Sequence, residues 1–123
     1  MDTTAINYRF KTADRSLREA KEELNRPAED VVPFMVCRSV RHSISNNLMG
    51  FLMKHGIQVD ENAPVKTLLE NCSAIDKKFR GLELTPISFV MDEEYSATFD
   101  KMESCIDLAT YVRQLVGGKY QSN

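Results

Sequence analysis

From Val31 to Val59 the chain contains neither Asp nor Glu, yet it carries Arg38, Arg41, His42, Lys54 and His55. Apolar residues recur through this stretch at helical spacing up to Gly56, so it reads as one long helix. No other feature constrains the fold as much. A helix that is basic and polar along a face expected to be apolar needs either internal helix pairing or a partner surface. The segment from Asp92 to Val112 has the opposite charge: Asp92, Glu93, Glu94, Asp100, Glu103 and Asp107 stand against Lys101 alone.

The long helix shows two faces. Val36, Cys37, Val40, Ile44, Leu48, Phe51 and Leu52 form the expected core stripe. The opposite side carries Met35, Ser39, His42, Asn46, Met49 and Met53, with Arg38 and Ser45 beside them. Methionine is adaptable and common at binding surfaces. Its interleaving with polar residues predicts a covered face, and a homodimer built on Met35, Ser39, Met49 and Met53 is expected there. The helix starts near Glu29-Asp30, whose charges suit a helix N-terminus. Pro33 falls in its first turn, where a missing N–H costs little.

The rest of the chain supplies further amphipathic helices. A first helix is expected from Thr12, a good N-cap, to Asn25, with Leu17, Ala20 and Leu24 on its stripe. Arg15–Glu19 and Arg18–Glu22 would pair at i,i+4 on its wet side. Arg26-Pro27 ends it. Residues 1–11 read as an arm, because Ile6, Tyr8 and Phe10 alternate. A third helix is expected from Val65 to Arg80 and a fourth from Asp92 to Val116. Between them LELTPISFV reads as an extended segment crossing one end of the bundle. Residues 118–123 read as a tail. The predicted fold class is all-α, an antiparallel up-and-down four-helix bundle in a single domain over residues 12–117.

Composition narrows the function. The length suits one domain with its own core. The net charge is −2, which argues against a dedicated DNA-backbone binder. No run is long and apolar enough to span a bilayer, and the N-terminal residues lack a signal-peptide pattern. A cytoplasmic protein is therefore expected. Cys37, Cys72 and Cys105 each fall on an apolar stripe and lack zinc-type spacing, so they read as core residues. His42 and His55 are too far apart on one helix to share a metal, and neither has a carboxylate one turn away. No metal and no cofactor are expected. His55 reads as a helix-end residue that bonds a carbonyl. Arg38, Arg41, His42, Ser45 and Asn46 form the candidate ligand site, since an Arg fork suits phosphate or a base edge. Gly117-Gly118-Lys119 follows a helix instead of preceding one, so it is not a phosphate loop.

The helix order and lengths resemble the HEPN domain family (higher eukaryotes and prokaryotes nucleotide-binding). LREAKEEL lies in a short first helix, followed by a long second one. The second ends FLMKHGI, similar to the family's lysine-bearing helix that closes on glycine. VKTLLENCSAIDKKF is similar to the third helix, with its double leucine and later Phe, and a long closing helix follows a loop. The resemblance runs roughly from Ala13 to Val116. It implies a helical bundle that usually dimerises and, in some members, pairs with a small nucleotidyltransferase chain in a toxin–antitoxin or substrate-binding role. Other members are metal-independent ribonucleases with a longer Arg-to-His spacer near the start of the last helix. Here three residues separate Arg38 from His42, on the second helix, and the last helix has no His. The family's frequent Glu and Lys on the second helix are replaced near Ser45 and Met49. The expectation is a non-catalytic binding subunit, with a nucleotide ligand and a nucleotidyltransferase partner. A ribonuclease toxin using Arg38 and His42 and a dimerising adaptor without a nucleotide are the alternatives.

Overall fold

The computed structural model describes residues 3–90 and 92–117. Its main elements are the helices α1 (Thr3–Leu24), α2 (Pro33–Lys54), α3 (Val65–Ile75) and α4 (Phe99–Leu115). Short 3₁₀ turns occupy Ala28–Asp30, Lys77–Phe79, Thr85–Ile87 and Glu93–Ser96, and no strand occurs among the described residues. The all-α expectation holds. Helix α2 is the hub: α1, α3 and α4 all pack on it, α1 most extensively.

Helix α1 begins at Thr3, not at Thr12, so residues 3–11 are helix and not an arm. The physical reason is a stripe longer than the alternation of Ile6, Tyr8 and Phe10 suggests. Phe10, Ala13, Leu17, Ala20 and Leu24 are spaced by three and four residues and are all buried, with Ile6 packed against them. Tyr8 points outward and is exposed. Helix α1 runs antiparallel to α2. Near one end the Glu23 carboxylate accepts from the Val32 N–H at 2.9 Å, and near the other Arg9 donates to Asn46 Oδ1 at 3.1 Å. The Phe10 ring rests on the backbone of Gly50, where a Cβ would stand 2.8 Å from its Cε1. The fully buried ring thus uses space that any other residue at position 50 would fill.

The expected outer face of α2 is overturned in its second half. Every residue from Asn46 to Met53 is buried, including Met49 and Met53. The N-terminal half of α1, absent from the sequence expectation, lies along this part of α2. Met49 and Met53 are therefore core residues and offer nothing to a second subunit, while Met35 remains exposed.

Local chemistry explains the shifted helix ends. Pro33 drives Val32 into an extended conformation (φ −104°, ψ 101°), so α2 cannot run through from Glu29. At its other end Gly56 takes φ 77°. The Ile57 and Gly56 amides return to the Leu52 and Met53 carbonyls, each at 3.0 Å, which satisfies two orphan acceptors. Helix α3 stops at Ile75, short of Arg80. Asp76 is extended, and its side chain accepts from the Lys78 amide to start a new turn. Phe79 stays buried and meets Phe51 edge-on at 4.7 Å between ring centroids. Helix α4 begins at Phe99, not Asp92, because Thr98 caps it by accepting from the Lys101 amide at 3.2 Å. The segment before it is not fully extended, since Pro86 sits inside a turn that packs on α2 and α4. The expected tail, residues 118–123, lies outside the described residues.

Phe10→Ala should destabilise the protein by about 3–5 kcal/mol, as expected for emptying a closed aromatic site. Urea denaturation measures this. An arm residue would shift the unfolding free energy by only about 0.5 kcal/mol.

Candidate functional site

The α1–turn–α2 hairpin opens into a groove of about 620 Å³, lined by Glu19, Glu22, Glu23 and Arg26 of α1 and its end, and by Met35, Arg38, Ser39 and His42 of α2. That volume lies in the range of small-molecule sites. Antiparallel packing places it. The spacing of Glu19, Glu22, Glu23 and Arg26 puts them on one face of the α1 end, and Met35, Arg38, Ser39 and His42 do the same on α2.

The five candidate ligand residues do not stay together. Arg38 and His42 share the groove. Arg41 turns toward the 3₁₀ turn before α4 and forms an ion pair with Glu94. Asn46 is buried: its Oδ1 accepts from Arg9 and its Nδ2 donates to the His42 carbonyl at 2.8 Å. Ser45 is half-buried and does not line the groove. Arg41 and Asn46 are thus bound up in holding the fold, and a ligand in the groove meets neither. Of the residues expected at a dimer interface, Met35 and Ser39 line this groove.

The sequence reading missed Glu19, Glu22, Glu23 and Arg26. It assigned Glu19 and Glu22 to pairs with Arg15 and Arg18, which are not formed among the described residues. A signal was present: acids at i, i+3 and i+4 followed by Arg at i+7 mark one helical face. It takes α1 laid against α2 to show what that face looks at. Glu23 is occupied, accepting from Arg26 at 3.0 Å and from the Val32 amide. Glu19 and Glu22 are exposed and have no ion pair among the described residues, and the same is true of Arg38.

His42 is held below its ordinary pKa, chiefly by desolvation and then by the neighbouring Arg38 and Arg41 charges, with Glu19 acting in the opposite sense. The imidazole therefore works near neutral pH as an uncharged group with one donor and one acceptor nitrogen. His55 donates from Nδ1 to the Phe51 carbonyl at 3.0 Å at the end of α2, as its position suggested. All three cysteines are buried and unbridged. Among the described residues no group of His, Cys, Asp or Glu is arranged to hold a metal ion, and no helix is long and apolar enough to cross a membrane. Chemically, the groove offers the Arg38 guanidinium fork for an oxyanion, the Glu19 and Glu22 carboxylates, unpaired among the described residues, as acceptors, a neutral imidazole and a hydroxyl.

A lowered His42 pKa fixes a sign. The unfolded chain binds the proton more readily than the fold does, so this contribution is complete above about pH 6.5 and is lost as pH falls below it. His42→Gln should flatten that loss. Urea midpoints compared at about pH 7.5 and 5.5 should fall further for the wild type than for the variant.

The chain matches no family model, no curated protein and no solved structure.

Proposed function

We propose that this chain is a non-catalytic, HEPN-like binding subunit that holds a nucleotide in the α1–α2 groove and serves beside a small nucleotidyltransferase. One observation carries the reading. Arg38 and His42 face an open groove of ligand size without an ion-pair partner among the described residues, whereas Arg41 is taken by Glu94 and Asn46 by Arg9. Arg38 supplies a fork for phosphate oxygens. His42, one turn on, supplies a donor to the same anion. Met35 gives an adaptable apolar contact for a base. The order of four helices with a long closing one supports the resemblance, while α1, as long as α2, departs from the short first helix expected of it. The three-residue Arg38-to-His42 spacing and the last helix without histidine support the non-catalytic branch.

AMP titrated by calorimetry or NMR provides the test. Arg38→Ala should weaken binding about tenfold or more, since a hydrogen bond to a charged group contributes about 1.5–3 kcal/mol. Binding should also tighten as pH falls below neutral, because an anion beside His42 restores the affinity for a proton that desolvation and the arginines suppress. No AMP binding at millimolar concentration rejects the reading.

A further inference from the structure

The wall opposite Arg38 and His42 is acidic, and that has a consequence for the ligand. Glu23 and Arg26 neutralise one another through their 3.0 Å ion pair. Without an ion pair among the described residues are Arg38 on the α2 side and Glu19 and Glu22 on the α1 side, with His42 one turn on from Arg38 in the same groove. The groove is thus slightly negative. A purely anionic ligand is repelled by it in proportion to its charge. A terminal phosphate carries about two negative charges near neutral pH, which one guanidinium and one imidazole can accommodate. Each further phosphate adds negative charge to a groove whose Glu19 and Glu22 carboxylates already outnumber the Arg38 guanidinium. The same carboxylates are pure acceptors and favour ligand groups that donate, such as sugar hydroxyls and an exocyclic amine.

We infer that Glu19 and Glu22 are specificity-determining residues that select a nucleoside monophosphate, phosphate on Arg38 and donors on the acidic wall, over nucleoside polyphosphates. The inference rests on the nucleotide reading of the groove and assigns a role to residues which that reading leaves unused. Both carboxylates are exposed on α1 and make no ion pair among the described residues, so neutralising them leaves the bundle intact. Discrimination here is of the repulsive kind, in which a charge placed against the wrong ligand supplies the selectivity.

The experiment is calorimetric titration of the full chain with AMP, ATP and adenosine at fixed ionic strength and without divalent cations. Three proteins are compared: the wild type, Glu19→Gln/Glu22→Gln, and Glu103→Gln as a control for overall charge on a carboxylate outside the groove. The wild type should bind AMP at least about tenfold more tightly than ATP, and adenosine more weakly than AMP. The double variant should gain ATP affinity and lose most of that ratio, while Glu103→Gln keeps it. ATP binding as tight as AMP in the wild type overturns the inference and leaves the nucleotide reading standing. An equal change in Glu103→Gln also overturns it, because the effect is then one of net charge. If neither nucleotide binds, both the inference and the reading it rests on fall.

Discussion

The seating of Phe10 on the bare backbone of Gly50 governs the rest of this structure. It holds the N-terminal half of α1 against α2 at a distance no side chain at position 50 would allow. Everything else on that side follows. Asn46, Met49 and Met53 become interior, Arg9 comes within reach of Asn46, and α1 is fixed antiparallel along the length of α2. A close helix–helix approach through glycine carries a cost, since glycine in a helix interior is about 1 kcal/mol less favourable than alanine. A fully buried aromatic ring recovers more than that. The groove at the other end of the hairpin is a product of the same packing, because its two walls are the continuation of the two helices that Phe10 and Gly50 bring together.

Charge organises the remaining contacts. The acidic excess before and within α4 and the basic excess of α2 are partly joined inside the protein. Glu94 takes Arg41, and Asp14 of α1 receives Arg113 of α4 in a two-pronged contact with Nε 2.7 Å from Oδ1. The second pairing ties the first helix to the last. Such part-exposed pairs add modestly to stability, and their greater effect is on orientation. They fix which sides of α1 and α4 remain open and so which charges are left for a ligand. At the groove, Arg38, Glu19 and Glu22 have no ion pair among the described residues.

Local contacts also separate the two imidazoles and the three thiols. His55 bonds the last turn of α2 and lies against Phe51 at 4.4 Å between ring centroids, whereas His42 stands in the groove between arginines and a carboxylate. Cys72 and Cys105 donate to the carbonyls of Leu48 and Pro86, so each thiol helps hold a packed segment in place. Burial pushes the Cys72 thiol up to about 12, which keeps it protonated and unreactive near neutral pH. None of the three offers a nucleophile to the groove.

Much of the fold was legible because it rests on local rules. Period-3.6 apolar stripes located all four helices, Gly56 marked the end of α2, and the stripes placed the three cysteines inside. Boundaries failed where a single side chain outranked the pattern: Pro33 by forcing Val32 out of the helix, Asp76 and Thr98 by capping new starts. The first turns of α1 failed for a different reason, since Ile6, Tyr8 and Phe10 fit two periods and only contact with Gly50 decides between them. The candidate site was half legible. Arg38 and His42 stood out as polar residues on an otherwise methionine-rich face, and they do share a groove. That Arg41 and Asn46 leave it, and that Glu19, Glu22 and Glu23 enter it, depends on partners far apart in the chain. Sequence by itself determined which residues can be helix and which face each helix would bury. Tertiary structure decided which charges cancel and which stay open, because an ion pair is set by distance in space and helical periodicity carries no information about the neighbour across the seam.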